Sequence, residues 1–311
     1  MKKVVLAFAV VAVIVIALVY IFLPKNFVVS SIKSIPYKPA VVLRSLHENA
    51  NWQHWFPARN EANTFSFNDY AFKLGKKTYA AMDVTIERNN KIYNSSIHVL
   101  PYNADSSLVQ WQVPFEEITN PFKRIEAYRA AKELKLDMDT LLGSFKTFTQ
   151  STKNIYGFNI QRTTLTDTAL VSIKTVLKQY PSIELIYSLI DRLKNYVKEQ
   201  HAAEHNYPML NVTQLQDGSY EVMVGIPTNV PLAGTDLIKP KRMMMLKDKT
   251  LVTDVTGDNS IIQKALSATG SYMSDNALSS PVIPFQQLIT DRSKEQDSTK
   301  WITKIFTPFS D

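Results

Sequence analysis

Residues 4–23, VVLAFAVVAVIVIALVYIFL, form an unbroken apolar run without a charge. At 1.5 Å per residue, a helix of about twenty such residues covers the roughly 30 Å of a bilayer's hydrocarbon. Lys2 and Lys3 ahead of it fit the start of a signal peptide, but the run is longer than a usual signal core. It is followed by Pro24-Lys25-Asn26, without a small-x-small cleavage pattern. The expectation is an uncleaved transmembrane anchor over residues 1–24, in contact with the membrane through residues 4–23. Lysines flank the run on both sides, Lys2 and Lys3 before it and Lys25, Lys33 and Lys38 after it, so the positive-inside rule leaves the orientation open. A short basic start followed at once by the apolar run favours a single-pass signal anchor in a bacterial cell membrane, with the soluble region outside the cytoplasm.

With 311 residues in the chain, enough remains after the anchor for two cores of ordinary domain size. The absence of cysteine excludes disulfides, thiolate catalysis and Cys-ligated zinc, and leaves the redox compartment undecided. A formal charge of +7 suits an acidic partner, yet the basic residues are scattered. Their tightest cluster, Lys239-Pro240-Lys241-Arg242, reads as a solvated loop, with no helix-turn-helix or aromatic RNA-binding pattern beside it. No nucleic-acid partner is expected.

Residues 25–153 begin with a strand over 27–35, a short helix and the aromatic stretch NWQHWFP. Alternating segments follow, TFSFNDYAFKL, TYAAMDVTIERN, KIYNSSIHVLPY and SLVQWQVPF, each bounded by Asn, Asp, Gly or Pro; this is an antiparallel sheet. A long helix then carries Leu134, Met138, Leu141, Leu142, Phe145 and Phe148 at spacings of threes and fours. The order, and the stretch SIKSIPYKPAVVLRSLHENANWQHWFP in particular, resembles the SRPBCC superfamily, the START-like helix-grip fold that includes proteins of polyketide cyclase/dehydrase type. That resemblance implies a sheet wrapped around the long helix, enclosing an apolar cavity for lipids or other hydrophobic molecules. On their own, Trp52 and Trp55 read as core packing. His47 and His54 lack a carboxylate at ligand spacing, so no metal is expected there.

Residues 154–311 contain an internal repeat. The first half runs strand ALVSIKTVLK, helix SIELIYSLIDRLKNYVKEQ, then a hairpin opened by Tyr207-Pro208, turned at Asp217-Gly218 and closed by Ile226-Pro227. The second runs strand TLVTDVTGD, helix NSIIQKALSATGSYMSD capped by Asp258 or Asn259, then a hairpin between Ile283-Pro284 and Thr307-Pro308. Two such units pair their sheets about a pseudo-twofold axis and leave a cleft between them. The stretches YPSIELIYSLIDRLKNYVKE, YPMLNV, DGSYEVMVGIP, KRMMMLKDKTLVTDVTGD and PFQQLITDRSKEQDSTKWITKIFTP together resemble the GyrI-like domain, also called the AraC-type effector-binding or multidrug-binding domain. The resemblance implies a cleft for amphipathic or cationic small molecules. Drug-binding members carry a buried glutamate in the Pro-x-Glu strand, where this chain has Gln286 and Gln287; an amide offers hydrogen bonds but no counter-charge, which weakens both cation selectivity and acid-dependent hydrolysis.

The expected architecture is therefore α+β: a transmembrane helix (1–24), a helix-grip antiparallel sheet domain (25–153) and a duplicated strand-helix-hairpin domain (154–311). The expected function is a membrane-anchored binding or sensor protein for small hydrophobic or amphipathic molecules, without a cofactor. Candidate cleft residues are Tyr180, Tyr207, Met209, Tyr220, Glu221, Phe285, Gln286 and Trp301, although alternation alone does not tell which strand face is the cleft. An enzyme alternative, a hydrolase or cyclase, would draw acid or base from Glu221 or Tyr220, with Glu184 as a further carboxylate. A scaffold for a protein partner is the third reading. His201-Ala-Ala-Glu204-His205 matches the inverted zinc-protease motif, but it falls at a helix end, where that chemistry lacks its helix and its third ligand.

Overall fold

The computed structural model describes residues 2–57, 64–166, 168–243 and 245–310, with 2–9 and 12 described by backbone alone. The chain is α+β, with two antiparallel sheets, and divides into two compact units, Met1–Ser151 and Thr152–Asp311.

Unit 1 opens with helix α1 (Lys2–Phe22) of 21 residues. Among the described residues, no helix is long and apolar enough to cross a membrane. The anchor expected over residues 4–23 falls partly on side chains, those of 2–9 and 12, that lie outside the described residues. Of the rest, Val10, Val11, Val13, Ile14, Ile21 and Phe22 are exposed. The end of α1 is tied to the unit: the Tyr20 hydroxyl donates to the Thr119 carbonyl at 3.0 Å, and Arg124 Nη1 donates to the Leu23 carbonyl at 2.9 Å.

The sheet of unit 1 is built from β1 (Phe27–Ile35), β2 (Thr64–Phe67), β3 (Tyr70–Lys77), β4 (Ala81–Arg88), β5 (Lys91–Asn103) and β6 (Ser106–Phe115), in the order β1-β6-β5-β4-β3-β2. Asn89 and Asn90, both at positive φ (48° and 61°), make the two-residue turn from β4 to β5, a conformation asparagine tolerates. Between β1 and β2 lie α2 (Pro39–His47) and α3 (Asn49–Trp55). The long helix α4 (Pro121–Thr149) starts at Asn120, whose side chain accepts from the Phe122 and Lys123 amides, and its 3.6-period stripe from Leu134 to Phe148 is buried.

The apolar cavity implied for this unit is occupied by its own aromatic side chains. Trp52 packs on Trp55 with ring centroids 4.5 Å apart, Trp55 on Phe145 at 5.1 Å, Phe56 on Phe72 at 5.3 Å and Phe72 on Trp111 at 5.7 Å. Trp52, Phe72, Trp111 and Phe145 are fully buried. Trp52 Nε1 donates to the Leu46 carbonyl at 2.7 Å and Trp111 Nε1 to Ser95 Oγ at 3.0 Å, so both indoles are satisfied inside the core.

Unit 2 runs α5 (Thr152–Tyr156), β7 (Ile160–Leu165), β8 (Thr168–Leu177), α6 (Ile183–Glu199), β9 (Met209–Gln214), β10 (Tyr220–Thr228), β11 (Lys239–Met243), β12 (Leu246–Thr256), α7 (Asn259–Asp275), β13 (Phe285–Leu288) and β14 (Ile302–Pro308). Ser182 caps α6 by accepting from the Leu185 amide, and Asp258 caps α7 by accepting from Ser260 and Ile261.

The eight strands lie in the order β11-β8-β10-β9-β13-β14-β12-β7. This order is a palindrome: each half is an edge strand, a first strand and a hairpin, and the two halves meet where β9 pairs with β13. The edge strands are exchanged. β7 precedes the first half in sequence but pairs with β12, and β11 precedes the second half but pairs with β8.

That exchange forces the sheet to curl. In a flat sheet β7 and β8 would stand six strands apart, about 29 Å at the usual spacing. Leu165 and Thr168, which join them, are three Cα steps apart, about 11 Å at most. Met243 and Leu246 impose the same limit between β11 and β12.

Candidate functional site

Directly paired residues of antiparallel strands share a sheet face, so the registers sort every side chain of unit 2. Val171, Ile173, Val222, Val224, Ile226, Leu210 and Leu288 fall on the face that packs against Ile186, Ile190, Leu193 and Val197 of α6. Val255 and Ile305 do the same against Ile262 and Ala265 of α7. The opposite face carries Leu170, Ser172, Met209, Asn211, Met223, Gly225 and Phe285, and the two helices leave it uncovered.

There the curled sheet holds a cavity of about 390 Å³. Its walls are those seven residues together with Leu165, Leu210, Lys241, Arg242, Met243, Leu246 and Pro308, and Pro281, Val282 and Ile283 come over it from the loop ahead of β13. Leu165 pairs with Leu246 where β7 runs beside β12 at one edge of the sheet, and the pair forms one part of the wall. The volume lies within the roughly 300–1,000 Å³ of small-molecule sites.

Small side chains keep the space open. A Cβ on Gly225 would approach Leu170 Cδ1 to 3.0 Å and point into the cavity side of the sheet. The polar wall groups are already engaged: Asn211, 6 % exposed, donates through Nδ2 to the Pro284 carbonyl at 2.8 Å and accepts from Thr213 Oγ1 at 3.0 Å. Ser172 Oγ donates to the Lys239 carbonyl at 3.3 Å.

Of the residues singled out in the sequence, Met209 and Phe285 line this cavity. Glu221 shares the cleft face but is held by Lys174 at 2.6 Å, outside the cavity wall. Gln286 is buried on the helix-facing side, opposite Leu210, while Gln287, paired with Met209, is on the cleft face. Tyr207 is 48 % exposed ahead of β9.

Tyr180 and Tyr220 meet on the helix side, edge to face at 5.6 Å, and the Tyr180 hydroxyl donates to Asn259 Oδ1 at 2.8 Å; burial pushes the Tyr180 hydroxyl above its ordinary pKa. Trp301 stacks under the Arg292 guanidinium at 5.1 Å and donates through Nε1 to the Glu295 carbonyl at 2.8 Å. Glu184 is exposed in the first turn of α6. Its carboxylate is held below its ordinary pKa by hydrogen bonds at its own backbone amide and to Ser182, which is capping chemistry.

The Lys239–Arg242 cluster, read from sequence as a loop, is instead most of β11. Pro240 fits because β11 is an edge strand, paired on one side with β8 alone, where a missing amide costs little. Lys and Pro at a sheet edge are themselves the signal that could have revealed it. For the H-x-x-E-H stretch, α6 ends at Glu199 and His201 has a positive φ of 54°, so the motif is not helical. Glu204 pairs with Lys194 at 3.2 Å. Among the described residues, no three His, Asp or Glu side chains gather to hold a metal.

No family model and no curated relative matches the sequence. Among solved structures, the chain is similar to the C-terminal domain of EcmrR, with a TM-score of 0.43 and 13% identity over 49% of this chain and 98% of that one. A hydrolase from Listeria innocua gives a TM-score of 0.37 and 10% identity over 49% of this chain and 91% of that one. A START superfamily protein from Mycobacterium smegmatis gives 0.29 and 10% over 40% of this chain and 97% of that one.

Proposed function

We propose that this chain is a membrane-anchored binding or sensor protein for small hydrophobic or amphipathic molecules, and that the cavity of unit 2 is its binding site. One observation carries the reading: an apolar cavity of about 390 Å³ on a sheet face that the helices leave uncovered, kept open by Gly225 and Ser172 at inward positions. Burying an apolar ligand there removes apolar surface from water at about 25 cal/mol per Å². The palindromic strand order supports assigning unit 2 to the GyrI-like type, and α4 packed against β1 and β6 of the antiparallel sheet supports a helix-grip assignment for unit 1.

The test is native mass spectrometry of the full chain released from lipid nanodiscs, wild type beside Gly225→Val. The wild type should retain a small amphipathic molecule that the valine side chain displaces. Equal retention by both would place the ligand elsewhere, and an empty wild type that takes up no lipid or drug would turn attention to a scaffold role.

The anchor belongs to the same proposal. The exposed Val10, Val11, Val13, Ile14, Ile21 and Phe22 of α1 support insertion, and Tyr20 at its end suits the interfacial position that aromatic rings prefer. On this reading both units are extracytoplasmic. Resistance to alkaline extraction tests insertion, and digestion of units 1 and 2 by protease added to intact spheroplasts tests orientation; release at high pH, or protection from the protease, would count against each in turn.

A further inference from the structure

We propose that the ligand of the unit 2 cavity is an anionic amphipath, an apolar body of one chain or ring system carrying a carboxylate or similar acid group. This rests on the cavity being the binding site. Its walls are apolar except for groups that are neutral or basic: Lys241 and Arg242 are the charged residues lining it, and among the described residues no Asp or Glu does.

Lys241 is placed by register. It pairs with Leu170, whose side chain lies against the Gly225 position inside the cavity, so β11 turns the ammonium toward the cleft. Lys239, paired with Ser172, shares this face outside the cavity wall, and Lys174 further along it is neutralised by Glu221 at 2.6 Å. Lys241 has no such carboxylate among the described residues. The neutral polar groups of the wall are spent on protein partners, Asn211 on the Pro284 carbonyl and Ser172 on the Lys239 carbonyl.

A head group entering with its tail in the cavity therefore meets a cation whose charge is unmatched. An acid receives a charge-assisted hydrogen bond from Lys241. A cationic head finds like charge and, among the described residues of the wall, no counter-ion, which disfavours it as its hydration is stripped. The wall thus selects by sign of charge at its rim and by apolar fit in its interior.

The experiment is native mass spectrometry of the full chain in nanodiscs titrated with three probes of one chain length: decanoate, decanol and decyltrimethylammonium. Site occupancy is counted as the part lost in Gly225→Val, which removes lipid partitioning from the comparison. Decanoate should bind about 3- to 5-fold more tightly than decanol, with the cation weakest. Lys241→Gln should erase that order and Lys241→Glu should reverse it, with circular dichroism confirming the fold of each. Equal binding of all three probes, or the cation binding best in wild type, would overturn the anion preference while leaving the cavity as a binding site. If no probe binds in a Gly225-dependent way, the cavity reading itself falls and takes this inference with it.

Discussion

Units 1 and 2 are both antiparallel sheets with a packed core against the helices on one face, yet unit 2 also holds a cavity on the face its helices leave uncovered. In unit 1 the inward positions hold Trp52, Phe72, Trp111 and Phe145, all fully buried, and the rings consume the space between sheet and helix. In unit 2 the positions facing the cleft are Leu170, Ser172, Met209, Met223 and Gly225, whose side chains stop short of one another. Where large rings meet, as in unit 1, no space is left; where small and short side chains line a face, as on the cleft side of unit 2, a cavity remains.

The largest expected effect breaks this contrast directly. Phe72→Ala removes a ring that contacts Phe56 and Trp111 and should destabilise unit 1 by about 3–5 kcal/mol. Phe285→Ala, on a wall already facing open space, should cost unit 2 about 1 kcal/mol. Hydrogen exchange read separately over the two sheets tests this, and equal losses would mean that the unit 2 cavity is collapsed in solution.

A smaller effect separates two buried arginines, each 7 % exposed. In unit 1, Arg124 donates to the carbonyls of Ile118 at 2.6 Å and Leu23 at 2.9 Å. In unit 2, Arg292 Nη2 donates to Thr303 Oγ1 at 2.7 Å while its Nε has no partner, and burial lowers the guanidinium pKa. Arg124→Met should cost about 2 kcal/mol, whereas Arg292→Met should leave stability unchanged or raise it by up to about 1 kcal/mol. Urea midpoints of the two variants decide; a loss at Arg292 as large as at Arg124 would show that its stacking on Trp301 outweighs the desolvated charge.

The smallest effect lies in the helix caps. Unit 1's α4 is capped by Asn120, which does not titrate, and unit 2's α7 by Asp258. Hydrogen bonds from the Ser260 side chain and the Ile261 amide hold the Asp258 carboxyl below its ordinary pKa. A carboxyl depressed on folding adds stability that is present above its unfolded value, about 3.9, and is lost as pH falls through the folded value. Acid titration should therefore loosen α7 but not the start of α4, and Asp258→Asn should remove that difference.

Much of the fold was legible because its signals are local. The Leu134-to-Phe148 stripe, the cap at Asp258 or Asn259 and the strand-helix-hairpin repeat each write their periodicity or turn chemistry into a few consecutive residues. The cavity was less legible. Met209 and Phe285 were singled out and line it, but Tyr180, Tyr220 and Gln286 occupy the opposite side of the same sheet because a period of two cannot say which face is covered. β11 was hidden by Pro240 and its run of charge, and the wall made where Leu165 meets Leu246 depends on pairing between residues 81 positions apart, a relation no local pattern encodes.

The exchanged edge strands also set the order in which the molecule is made. In unit 1, β2 to β6 pair with sequence neighbours and zip up in order, and one strand, β1, waits for a distant partner, β6. β7 leaves early and has no partner until β12 is synthesised, and β8 lacks its outer neighbour until β11 follows. Pairing at such separation is slow, and an unpaired edge is sticky while it waits. Unit 2 cannot be finished by halves: a nascent chain stalled after residue 243 can pair β8 to β11 but still lacks the strand β7 needs.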